Sequence, residues 1–547
     1  MSLPLSFSPF AFSPAYLPPK HAPSLHLACT KYIVVSTQAQ DLNADSVVTR
    51  RSANYQPSCW DYDFMISRKT TDYTGETHGK RVELLKESVR GLLNKSKETV
   101  SQFTLIDDIQ RLGLGYHFEK EIKKELNYLS INKTDWRFMM FYLADVFKRF
   151  EDEMSGFKAG LCEDAKDNTS NSYLADKINQ SMEVPLHWML PRLDTRRYID
   201  EYEKEASVSH DLLELAKLDY NMVQTIHQKE VGKLASWWVD LGLHKLSFVR
   251  DRLVEHYFWS LGMVSEPHFD SVREAVTKVT SFVSTIDDIY DIYGSLEELE
   301  LFTDAVVSWD INAMEQLPEY MKMCFLALYN TNNEISYEIL KQQSFDITPY
   351  QKKAWADICT AFLVEAKWYY EGYTPTLDEF LNNSVISIGA PTMLLTAYLL
   401  STRRITREAL ECIENYPSLI RCSAMLVRLS NDLGTSRDEL ERGDVSKSIQ
   451  CYMKEKGVSE EVAREHIQYL IGETWKKMNK ELIGHHLLPQ AFVNATINLA
   501  RIALCLYQYG DGYGVNANRE TKAHLKTLLV DPVPMKLILP SYGSSRR

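Results

Sequence analysis

Apolar residues recur every three or four positions along most of the chain, and the period-two alternation of strands is scarce. Residues 83–93, 103–114 and 212–226 carry such helical stripes. Ser459 is placed to cap a helix whose first turn holds Glu460 and Glu461. Its apolar face then runs Ile467, Leu470, Ile471, Trp475, Met478. The longest apolar run, 386–400, contains Gly389 and Pro391 and is shorter than a bilayer span, which predicts a broken, buried helix and no membrane insertion. Two stretches interrupt the pattern. Residues before Asp41 contain no Asp or Glu and are rich in Ser and Pro, and 151–180 is polar and reads as loop. The expectation is an all-α fold of two helical domains: a leader over 1–49, an N-terminal domain over 50–230, and a C-terminal domain over 231–547, with the boundary near Val231.

Composition narrows the classes. A 45% hydrophobic and 25% charged chain is an ordinary globular one. The net charge of −13, without a dense Lys/Arg tract, argues against a nucleic-acid partner. Nine scattered cysteines without a CxxC pair suggest free thiols, not a disulfide or zinc framework. The acid-free, Ser-rich leader resembles an organelle transit peptide; with Arg missing until Arg50, a plastid is the address expected, and a disordered tail is the alternative.

Candidate chemistry begins in FVSTIDDIYDIYG, where Asp287 and Asp291 fall four apart on one helical face with Asp288 a quarter turn away. Clustered carboxylates without His or Cys suit Mg²⁺. Taken alone, a solvated acidic face explains the triplet equally well. The pair Asp107 and Asp108, followed by Arg111, lacks further ligands and reads as structural. In RLSNDLGTSRDE, however, Asn431, Thr435 and Glu439 stand at i, i+4 and i+8, lining an amide oxygen, a hydroxyl and a carboxylate along one stripe. Gly434 and Asn431 weaken that helix, so something other than propensity keeps them. Two such helices imply a polyanion, most simply a diphosphate. Arg250, Arg252, Arg428 and Lys447 lie beside the two motifs as its cationic partners. Trp259, Tyr290, Tyr293, Tyr507 and Tyr513 are candidates for an aromatic wall facing a cation, and half of them are expected to be plain core. The glycine-rich stretch from Tyr509 reads as a lid.

Those motifs, in order, resemble a known family. Tandem Arg50–Arg51 followed by Trp60, RDR from Arg250, DDIYD from Asp287 and the stretch carrying Asn431, Thr435 and Glu439 are similar to plant terpene synthases, and closest to the monoterpene synthase branch. EVPLHW from Glu183, LLELAKLDYN from Leu212, MKMCFLALYN from Met321 and ERGDVSKSIQCYM from Glu441 read the same way. The resemblance implies a class I terpenoid-synthase fold in the C-terminal domain and an N-terminal helical domain without chemistry of its own. It implies three Mg²⁺ ions, with Mn²⁺ an alternative, held by Asp287, Asp291, Asn431, Thr435 and Glu439, and Asp288 behind them. It implies that Arg50 and Arg51 fold over the mouth of the site and act with isomerisation of geranyl diphosphate to its linalyl form. Asp287, Asp288, Trp259, Tyr507 and Tyr513 are then the candidate catalytic residues. Arg50, Arg51, Arg250, Arg252, Asp287, Asp291, Arg428, Asn431 and Lys447 are the candidate substrate-binding ones. Tyr513 stands where some members carry His, which leaves the terminal base open. Isoprene synthases carry Phe at the positions of Thr280 and Val427, so a chain longer than C5 is expected here.

The expected reaction is Mg²⁺-dependent ionisation of geranyl diphosphate, then cyclisation, deprotonation or water capture, by a monomer or homodimer. Family members also have further helices between 150 and 180, including an RLLRQHG-like stretch that this sequence does not supply, so the N-terminal domain is expected to be shortened. A sesquiterpene synthase acting on farnesyl diphosphate, and an inactive truncated relative, are the competing readings.

Overall fold

The computed structural model describes residues 50–67, 73, 76–95, 99–131, 188–205, 208–482, 487–512 and 519–535. The leader, the polar stretch near 151–180 and Tyr513 lie outside the described residues. Among those described there are helices and no strands. The N-terminal part carries α1 (Tyr62–Ser67), α2 (Glu76–Lys95), α3 (Thr99–Arg111), α4 (Glu119–Ile131), α5 (Pro191–Tyr202) and the long α6 (His210–Leu241). There follow α7 (Leu253–Met263), α8 (Asp270–Asp288), α9 (Leu296–Ser308), α10 (Glu319–Gln343), α11 (Thr348–Glu371) and α12 (Leu377–Ser387). The last group is α13 (Ala390–Ser401), α14 (Arg407–Glu414), α15 (Ser418–Arg442), α16 (Ser448–Lys456), α17 (Glu460–Leu482), α18 (Gln490–Tyr507) and α19 (Arg519–Leu529).

Two apolar cores form. The smaller gathers Val82, Leu85 and Val89 of α2, Ile106 and Ile109 of α3, and Leu212 to Tyr220 of α6, with Val533 closing it. The larger takes over on the same helix at Val231, Leu234, Ala235 and Trp238 and extends through α7 to α19. The changeover thus falls between Tyr220 and Val231, inside one unbroken 32-residue helix, and no linker marks it. Residues Arg50–Arg547 cluster as one compact unit.

Local chemistry explains the element ends that place the site. The broken apolar run resolves into α12 and α13, which meet at Gly389 in the left-handed region (φ 76°), where an added Cβ would also strike Val283. By composition Leu377–Ser401 is long and apolar enough to cross a membrane, yet 78% of its most apolar window is buried. Ser295 and Glu298 cap α9 reciprocally. Helix α17 packs on α15 and buries Ile467, Ile471, Trp475 and Met478 of the predicted stripe, with Ala463 added and Leu470 only half-buried. Asp108 accepts a hydrogen bond from the Tyr198 hydroxyl at 2.6 Å, which gives it a structural partner far from the two motifs.

Candidate active site

The first acidic stretch is not one uniform helix. α8 ends at Asp288, and Ile289–Tyr293 forms a wider π turn closed by Gly294 N–H donating to Ile289 O at 2.8 Å. Asp287 therefore sits on the last α-helical turn and Asp291 on the π turn, so their separation differs from the simple i, i+4 stacking expected. Such turns concentrate where side chains must be re-aimed. A helix end also leaves carbonyls without partners. Arg50 Nη1 donates to Tyr293 O at 3.0 Å and Arg51 Nη1 to Asp291 O at 2.9 Å. Two cations thus complete the negative end of the helix.

Both arginines are anchored further. Arg50 grips Glu298 through two bonds of 2.8 Å and lies over the rings of Tyr293 and Tyr320. Arg51 pairs with Asp444 at 2.9 Å and reaches Gly443 O at 3.3 Å, just beyond the second motif. The tandem pair is a strap across the ends of both motif helices. Tyr293 belongs to this strap, stacked on Phe248 at 4.1 Å.

Behind Asp287 stands Arg250. Its backbone N–H and Nε donate to the two oxygens of Asp288, at 2.9 and 2.7 Å, and its Nη2 reaches Asp287. Asp288 is fully buried, and burial pushes its carboxyl up to about 6 against the pull of Arg250. Burial, and then the neighbouring Asp287, hold the Asp291 carboxyl well above the usual carboxylate range, with Lys447 opposing them. Lys447 Nζ lies 3.8 Å from Asp291. Burial disfavours the Lys447 charge, but Glu439 and Asp291 outweigh it and raise the ammonium. This buried lysine therefore joins the first motif to the second.

On α15, Thr435 donates its hydroxyl to Asn431 O at 2.9 Å, while Arg428 contacts the Asn431 side-chain oxygen and pairs with Asp432 at 2.6 Å. Burial works against the Arg428 charge; Asp432, Glu439 and Glu365 together overcome it and raise the guanidinium. The Tyr507 ring lies 6.2 Å from that of Trp259. Tyr507, Asp291 and Asn431 are all half-buried and retain accessible surface. Gly434 has its reason here: an added Cβ would stand 3.1 Å from Tyr507 Cβ and 3.2 Å from Gly510 O.

The structure thus brings together Asp287, Asp288, Asp291, Arg250, Arg428, Asn431, Thr435, Glu439, Lys447, Tyr507 and Trp259, with Arg50 and Arg51 across the ends. Two sequence candidates stand apart. Arg252 Nη1 donates to the carbonyls of Gln56 and Asp251, at 3.3 and 2.8 Å, and so ties the N-terminal segment down. Tyr290 is core, bonded to Thr303 and packed on Phe302 and Phe362. Conversely, sequence reasoning missed Glu365 of α11. This buried acid accepts from Ser387 and Asn383 and adds negative charge beside Asp291. A carboxylate on the apolar stripe of Ile358, Phe362 and Ala366 was the available signal.

The donor set suits a hard divalent cation. It is all oxygen, and the buried Asp291 beside Asp287 is short of positive charge. Among the described residues, no three Asp, Glu, His or Cys side chains converge as a ready-made cage. Mg²⁺ fits that arrangement, because it is commonly held by one or two carboxylates with water and substrate phosphates completing the shell.

Comparison with known proteins places the chain beside several relatives. A family model described as "Terpene synthase family, metal binding domain" matches residues 239–477, and "Terpene synthase, N-terminal domain" matches 59–139. Myrcene synthase, chloroplastic, of Quercus ilex is 45% identical, across 91% of this chain and 92% of that protein. A crystal structure of limonene synthase with 2-fluorolinalyl diphosphate superposes with a TM-score of 0.83 at 34% identity, covering 89% of this chain and 100% of the other. Isoprene synthase from grey poplar leaves, in complex with three Mg²⁺ ions and dimethylallyl-S-thiolodiphosphate, gives 0.73 at 37% identity, covering 87% and 99%.

Proposed function

The chain belongs to the terpene synthase family, and on that premise we propose that it is a monoterpene synthase, a lyase that ionises geranyl diphosphate and releases diphosphate. The observation that carries this reading is Lys447, buried between Asp291 of the first motif and Glu439 of the second, where the two oxygen-bearing helices meet.

Asp287, Asp291, Asn431, Thr435 and Glu439 are the residues that would hold magnesium, and Mn²⁺ is a possible substitute. When bound, the metal supplies positive charge that favours departure of the diphosphate. The chain's own groups do the rest. Arg250, Arg428 and Lys447 present fixed positive charge to a diphosphate at the meeting of the motifs, without reorganising as it leaves. Asp288 holds Arg250 in place through its two oxygens. Arg50 and Arg51 lie across the mouth, where they restrict water and, as in the family, are suited to the isomerisation step. Trp259 and Tyr507 offer aromatic faces to the allylic cation. Small side chains at Thr280 and Val427, both buried, leave room for a C10 chain.

Several further expectations belong to the same proposal. Tyr513 is a lid residue near the cation, the leader addresses the chain to a plastid, and the enzyme is a monomer or homodimer without membrane insertion. Chloroplastic relatives support the address. The N-terminal domain is shortened near residues 150–180. Incubating the purified chain with geranyl or farnesyl diphosphate and Mg²⁺, followed by gas chromatography, tests the proposal. C10 volatiles from geranyl diphosphate are expected. C15 products alone would make it a sesquiterpene synthase, and no metal-dependent product from either would leave an inactive relative.

A further inference from the structure

Far from the two motifs, a cavity of about 560 Å³ opens on the seam between the two apolar cores. Its walls come from the end of α3 and the turn after it, from α5 and α6, from the loop 264–267 behind α7, and from the first half of α18. The volume is that of a small-molecule site. These walls are tied down. Arg273, completely buried and doubly paired with Glu230, donates to Val264 O at 3.1 Å and to Glu266 O at 2.7 Å. Asn498 donates to Met263 O at 3.0 Å, and Arg501 Nη1 donates to Asn498 at 2.9 Å.

Arg192 is the group that asks for a ligand. It lines the cavity at 6% exposure, lies over the Tyr220 ring at 4.1 Å, and donates from Nη2 to Tyr220 O at 3.0 Å. Among the described residues it has no ion pair. One carbonyl and a ring hold this guanidinium from behind, and as a wall of the cavity it has further donors to offer an anion there. Arg501, whose guanidinium burial lowers, lines the same space. Two carboxylates also reach the cavity, Glu119 exposed at its rim and Glu266 half-buried, and neither pairs with Arg192. Val223, Met263 and Ile497 supply an apolar side.

We propose that this cavity is a second ligand site, for a small organic oxyanion whose phosphate or carboxylate head meets Arg192 and Arg501 while its apolar body lies against Val223, Met263 and Ile497. Arginine forks match both heads, and two of them set against one apolar wall exclude amines and neutral polar ligands as good fits.

Thermal unfolding of the full chain in magnesium-free buffer tests this, with phenyl phosphate and benzoate as probes and benzyl alcohol as the uncharged control. At least one anion is expected to raise the midpoint saturably, and which one does so identifies the head group. Benzyl alcohol should leave the midpoint unmoved. Arg192→Met should weaken the response at least tenfold in apparent Kd. Ala491→Trp, which fills the cavity from α18 and leaves Arg192 in the chain, should abolish the response and leave turnover of geranyl diphosphate unchanged. It also decides the matter if the first variant does not fold. Silence from both anions, an equal response to benzyl alcohol, or a response that survives Ala491→Trp would overturn the site.

Discussion

Replacing Asp288 by Asn changes one atom and isolates what its charge does. Both carboxylate oxygens accept from Arg250, at 2.9 and 2.7 Å, in a site with no exposure. Asparagine keeps one acceptor and turns an N–H₂ toward a donor, so one charge-assisted bond is lost and two donors confront each other. Breaking a buried ion pair from one side costs about 3–5 kcal/mol. Unfolding entropy of about 2.1 cal/mol/K per residue makes 1 kcal/mol worth on the order of one degree in a chain of this length. A fall in Tm of about 3–5 °C is therefore expected by fluorescence-monitored melting. Arg250, which already contacts Asp287, is then left with it as the remaining carboxylate of the pair, which should raise the Mg²⁺ concentration for half-maximal turnover. An unchanged Tm together with an unchanged metal requirement would refute the positioning role given to Asp288.

Three further outcomes follow from particular contacts. Gly434→Ala gains about 1 kcal/mol by helix propensity alone; crowding against Tyr507 and Gly510 should cancel that gain and lower kcat/KM, with Gly434→Val worse. A more stable, fully active alanine variant would contradict this. Arg51→Met removes a partly exposed ion pair worth under about 1 kcal/mol, so melting should barely move. The opened mouth should instead raise the share of alcohols among the products, measured by gas chromatography. His227 and His256 are buried, and burial lowers both, with nearby arginines adding to it. The unfolded chain therefore binds more protons than the fold below about pH 6.5, and stability should fall with pH there by up to about 1.4 kcal/mol per unit for each. Denaturant titrations of His227→Gln should show a shallower slope, and an equal slope would count against it.

The two motifs were legible because their residues are local: i, i+4 spacing survives in any helix, and the absence of His and Cys already chose the ion class. What joins them was not. Lys447 meets Asp291, and Arg50 and Arg51 meet Tyr293 and Asp291, across more than a hundred residues of sequence. The π turn that re-aims Asp291 needs tertiary capping of its carbonyls by those arginines, which no window of sequence displays. Arg252 misled because its spacing from Arg250 says nothing of direction, and its guanidinium turns back to Gln56 and Asp251. Tyr290 is one of the aromatics expected to be plain core, and proximity to the acids does not outweigh its place among Phe302 and Phe362. Glycine in mid-helix at Gly434 correctly signalled an override of propensity, and the cause proved to be close approach of α18.

A crystal structure of the chain with Mg²⁺ and a non-ionisable geranyl diphosphate analogue tests the central claim directly. The account predicts one diphosphate gripped from both sides, with ions at about 2.0–2.1 Å from oxygens of Asp287 and Asp291 and from Asn431, Thr435 and Glu439. A diphosphate bound by only one helix, or metal-free against some other surface, would contradict it.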